Sequence, residues 1–86
     1  MSDGTALLLN SIIDELTNNP TPDYAAMLKE LEPYKNDPRA MNLWGVIEFR
    51  RHHRHAAERA FAQAARMGDE QAAVNLQIIK FNKETK

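Results

Sequence analysis

The sequence has no cysteine in its 86 residues. That excludes disulfide staples, thiolate metal ligands and cysteine nucleophiles. Long apolar runs are also missing. The longest, Ala6 to Leu9, is four residues, far short of the ~20 that a membrane-crossing helix needs, so no membrane insertion is expected. No basic stretch precedes that run, so it does not read as a secretory signal. The default expectation is therefore a cytoplasmic setting, unless the chain is excised from an envelope protein. Glycine is scarce, at three residues, and none sits in a phosphate-cradling loop. Charge of one sign does not dominate either, with 11 Lys+Arg against 12 Asp+Glu. Aromatics make up 7% of the chain, and only Phe49 adjoins a basic turn. Nucleic-acid surfaces combine a basic face with stacking rings, so no nucleic-acid partner is expected.

What is present is a 43% hydrophobic chain of one small domain, residues 1–86. A core of this size buries roughly 60–65% of what the unfolded chain exposes. Stability must then come from regular packing or from a partner. The charge is polarised along the chain. Residues 1–37 carry a net of −5 and residues 38–86 a net of +4. Such polarity supports head-to-tail self-contact or an anionic partner at the C-terminal half, unless these charges are only solvated faces.

Proline and glycine punctuate five segments. Thr21-Pro22 reads as an N-cap with proline at the first helical position, and Asp37-Pro38 repeats that device. Gly68 ends the fourth segment in a left-handed turn, and Asp69 caps the fifth. A break in Arg50–Arg54 is inferred only from a phase shift in the apolar pattern. Apolar spacing is helical throughout, as in Ala40/Leu43/Trp44/Ile47 and Ala57/Ala60/Phe61/Ala64. The spacing predicts an all-α fold with helices near 5–18, 22–35, 38–51, 54–67 and 69–83. Pro33 should stop or kink the second helix at Glu32.

Sliding the chain by 33 residues lays Leu9 over Asn42 over Asn75, and Ile13 over Val46 over Ile79. A period in the low thirties is that of a stacked helix-pair solenoid. Gly45, Ala57, Phe61 and Ala64 together resemble the tetratricopeptide (TPR) signature. The run from Ala64 to Asp69, followed by Ala72, Ala73, Asn75 and Leu76, is similar to the junction between such units. Glu48, Asp69 and Trp44 stand where the family usually carries Tyr, Pro and Leu. The resemblance implies an all-α, TPR-like α/α solenoid: a first helix pair over 5–36, a second over 38–67, and a terminal capping helix over 69–83. A mid-helix glycine such as Gly45 costs about 0.5–1 kcal/mol relative to Ala. Close approach of the alanine-rich fourth helix is the expected compensation.

Little carries chemistry. His52, His53 and His55 lie among Arg50, Arg51, Arg54 and Arg59, with no acid inside the run. Those arginines repel a divalent cation, so the run reads as a solvated inter-helix turn or an anion contact, without a metal. The carboxylate pairs Asp14/Glu15 and Glu30/Glu32 are adjacent or two apart and point to different helix faces. No enzyme and no cofactor are expected.

The TPR-like resemblance implies a concave groove that binds a peptide or a helix of another protein. On the third helix Asn42, Val46, Phe49 and Arg50 take that position, and the 33-residue shift adds Asn75 and Asn82. An asparagine holds an extended peptide through both its amide donor and its carbonyl acceptor. Alternatively, Val46 and Phe49 pack against the first and fifth helices and fill the groove. The leading expectation is an interaction module within a longer, bacterial-type protein. The rivals are a small stand-alone chaperone or adaptor, and a structural self-assembly unit without ligand. On the last helix, Val74, Ile78 and Phe81 form a second apolar stripe beside Ala72, Leu76 and Ile79. That stripe points to self-association, as a homodimer through this helix, or to completion by further sequence.

Overall fold

Proline, aspartate and one glycine set most helix boundaries in a computed structural model that describes the backbone of residues 3–84 and the side chains of residues 4–81. The helices are α1 (Asp3–Asn18), α2 (Tyr24–Leu31), α3 (Pro38–Arg50), α4 (Arg54–Arg66) and α5 (Glu70–Glu84), with a 3-10 turn over Glu32–Tyr34. Among the described residues there is no strand. The fold is all-α, with the five helices the apolar spacing predicts.

The second helix is shorter at both ends than the expected 22–35. Thr21 does not cap it, because its backbone N–H donates to Asn19 Oδ1 at 3.0 Å. Asp23 caps instead, its carboxylate accepting from the Ala26 N–H at 3.1 Å; aspartate is the stronger capping residue. At the other end, Pro33 lacks an N–H and clashes with the preceding turn. The α-helix stops at Leu31, Glu32 is its C-cap, and the chain tightens into the 3-10 turn.

Asp37 and Asp69 cap as expected, accepting from the Arg39 N–H at 2.9 Å and the Ala72 N–H at 3.1 Å. The α3–α4 turn is closed by histidine. His52 takes φ 68, while its N–H donates to Phe49 O and the His53 N–H donates to Glu48 O. The α4–α5 turn repeats this pattern around Gly68 at φ 103, with Gly68 N–H to Ala65 O and Asp69 N–H to Ala64 O. Both are Schellman closures, in which a left-handed residue lets two late N–H groups satisfy helix carbonyls.

α3 is the central helix. Its Ala40, Leu43 and Ile47 join Leu9, Ile12 and Leu16 of α1 and Met27, Leu28 and Leu31 of α2 in one core. Its Met41 joins Ala57, Ala60, Phe61 and Ala64 of α4 and Ala72 and Ile79 of α5 in a second. Trp44, expected in the first core alone, is half-buried and packs against both, as does Val46. Gly45 is the tight point of the second core. A Cβ there would lie 2.5 Å from Phe61 Cδ1 and Cε1. The close approach is therefore made by an aromatic ring rather than by the alanine stripe beside it.

Candidate functional site

α1, α3 and the start of α5 bound a cleft of about 380 Å³. Its floor is apolar, from Leu9, Ile13 and Leu43, and its rim is amide-rich, from Asn10, Asn42 and Gln71. The two charged residues on the rim are already engaged. Arg39 donates through Nε and Nη2 to the Asp37 carboxylate at 3.1 and 2.8 Å, and Asp69 caps α5. The Arg39 side-chain hydrogen bonds hold the Asp37 carboxyl below its ordinary value of 3.8. The free chemistry of the cleft is thus an apolar surface flanked by uncharged donors and acceptors.

A larger concavity, about 710 Å³, lies on the outer side of α1 around Leu7, Ser11, Asp14 and Asn18. One helix and its following turn form it, whereas three elements converge on the smaller cleft. Enclosure by separate elements is what positions recognition groups, so the smaller cleft is the better site.

The asparagines expected in the groove are brought together. Asn75 Nδ2 donates to Asn42 Oδ1 at 2.9 Å across the α3–α5 boundary. Gln71 Nε2 donates in turn to Asn75 Oδ1 at 3.4 Å. These three amides form a chain with one direction, and the Asn42 amide N–H groups at its end have no partner among the described residues. Arg50 braces α1 against α3, its Nη1 donating to Leu16 O at 3.2 Å. Val46 is half-buried between the cores, Leu16 and Ile79 are buried within them, and Phe49 keeps 41% of its surface exposed. The alternative of a filled groove therefore applies to Val46 but not to Phe49. The side chain of Asn82 lies outside the described residues.

Several lining residues were not singled out from the sequence. Ala6, Asn10, Arg39 and Leu43 all face the cleft. The signal was present, because Ala6 and Asn10 fall on Arg39 and Leu43 under the same 33-residue shift that relates Leu9 to Asn42. Extending the overlay one turn toward the N-terminus would have found them.

The His/Arg run does gain an acid, from the preceding helix turns. Glu48, a buried residue of α3, accepts from Arg51 Nη1 at 3.4 Å and faces His53 Nδ1 at 2.9 Å. The sequence reading missed this because Glu48 lies outside the run, and only the reversal at His52 folds His53 back over it. On the other side of α3, Lys35 Nζ sits 4.7 Å from the Trp44 ring centre. Among the described residues, no group of three or more His, Asp or Glu side chains gathers in metal-ligand geometry. No helix of the described chain is long and apolar enough to cross a membrane.

Comparison with known protein families, curated proteins and solved structures finds no match to this chain.

Proposed function

We propose that the chain is a TPR-like interaction module that takes an apolar peptide, or the apolar flank of a helix, from another protein in the cleft between α1, α3 and α5. The observation that carries this reading is the unspent Asn42 amide at the mouth of a cleft floored by Leu9, Ile13 and Leu43. An apolar floor supplies affinity without direction, while a fixed amide donor selects a backbone carbonyl at one point. The contacts at the repeat spacing support the solenoid part of the reading. Asn42 meets Asn75 33 residues on, and Arg50 meets Leu16 34 residues back, so equivalent faces of α1, α3 and α5 lie side by side.

Display of a random peptide library against the immobilised protein tests it. Selected peptides should be apolar at the centre, and Asn42→Ala should weaken them about tenfold, the loss of one hydrogen bond worth roughly 1.4 kcal/mol. Asn75→Ala separates the brace from the recognition group and should weaken binding less. A library that enriches nothing, or peptides that bind Asn42→Ala as well as the parent, would sink the proposal.

A further inference from the structure

The face of α5 that points away from α4 is unfinished. Ala72 and Ile79 are buried against α4, yet Val74, Ile78 and Phe81 on the adjoining stripe remain 51%, 51% and 66% exposed. The end helix of a stacked array normally turns a polar face outward, and a contiguous apolar patch marks an interaction site. α1 pairs with α2 and α3 with α4 in the two cores, whereas α5 meets only α4 among the helices that follow α3. We infer that a second copy of this chain covers that patch: two α5 helices pack antiparallel about a two-fold axis at Ile78, each serving as the missing partner of the other. This surface is separate from the cleft, so the inference does not rest on the peptide-binding reading.

Charge and area both select this occupant. Antiparallel register with Ile78 on the axis sets Val74 of one copy beside Phe81 of the other, because the two residues lie four before and three after the centre. It also lays the acidic start of α5, Glu70, beside the other copy's last turns, where Lys80 and Lys83 outnumber Glu84. A parallel pair would instead oppose Glu70 to Glu70. The interface is self-complementary, as a two-fold contact requires. The exposed patch amounts to about 300 Å² per copy, scaled from the ~150–250 Å² that a large side chain presents. Two copies bury about 600 Å² through these side chains, below the ~1,200–2,000 Å² of stable complexes. The dimer is therefore a weak one, forming at roughly 10 μM to 1 mM.

Sedimentation of the full chain across that concentration range should show the mean mass climbing from 9.8 kDa toward twice that value. The triple variant Val74→Gln, Ile78→Gln, Phe81→Gln should keep the helical circular dichroism of the parent and stay monomeric. The cysteine-free sequence permits a second test that does not depend on the triple variant folding. Under oxidation, Ile78→Cys should cross-link to a dimer, whereas Leu7→Cys, 70% exposed on α1, should not. A parent that stays monomeric throughout overturns the inference, as does equal cross-linking of the two single variants. Preferential cross-linking in a mixture of Leu7→Cys with Ile78→Cys would instead mean head-to-tail contact, and would also overturn it.

Discussion

His52 occupies a backbone conformation that favours glycine. Its φ of 68 closes the α3 Schellman motif, and a left-handed conformation costs a β-carbon residue roughly 1–2 kcal/mol. Glycine avoids that cost but loses more entropy on folding, about 0.5–1 kcal/mol. His52→Gly should therefore stabilise the protein by about 0.5–1 kcal/mol, raising Tm by a few degrees. Gly68→Ala in the sister motif, at φ 103, should lower it. Thermal melts followed by circular dichroism read both, and a drop in Tm for His52→Gly would mean that the imidazole makes a contact worth more than the strain. The absence of glycine is also why this boundary was legible only as a phase shift. Gly45 was the converse case. Its mid-helix position announced a close crossing, but the spacing pointed to the alanines, and only packing shows the Phe61 ring over it.

At the scale of elements, aspartate followed by proline was the dependable marker. Asp37 both caps α3 and accepts Arg39 through two side-chain hydrogen bonds. Its folded-state carboxyl lies below the ordinary 3.8, chiefly through the Arg39 side chain. A depressed carboxyl contributes stability that is fully present above the unfolded value and disappears as pH falls through the folded one. Asp37→Ala should thus cost about 1 kcal/mol at neutral pH, most of it the lost cap, since an exposed ion pair adds little. The gap between variant and parent should close below 3.8. Urea titrations at neutral and acid pH measure it, and a gap that stays constant with pH would contradict the assignment. Thr21-Pro22 looked like the same device but was not. Asp23, one residue on, is the better acceptor, and Asn19 had already taken the Thr21 N–H. Competition between neighbouring caps is a matter of geometry that residue identities alone do not resolve.

The whole molecule hangs on α3, which belongs to both cores while α1 and α2 belong to one and α5 to the other. The sequence showed charge of opposite sign in its two halves, yet every ion pair among the described residues is local: Glu32–Lys35, Asp37–Arg39, Glu48–Arg51 and Glu48–His53. No such pair ties the acidic half to the basic half, so apolar packing and a few hydrogen bonds hold the halves together. The two sides of α3 are closed differently. Toward α4 it presents Gly45 and Met41 to Phe61 and three buried alanines. Toward α1 it relies on leucine and isoleucine side chains and the single Arg50–Leu16 hydrogen bond. Opening the first side leaves α3 still packed on α4, whereas unfolding α3 dissolves both cores. Amide hydrogen exchange should then be slowest in α3, where Ile47 is fully buried, and faster in α1 through a sub-global opening. Arg50→Ala should speed exchange in α1 without speeding it in α4. Equal protection of α1 and α3 would mean one cooperative unit. In the expected case the cleft has one wall, α1, that yields before the other, and a peptide seated between them would slow α1 exchange first.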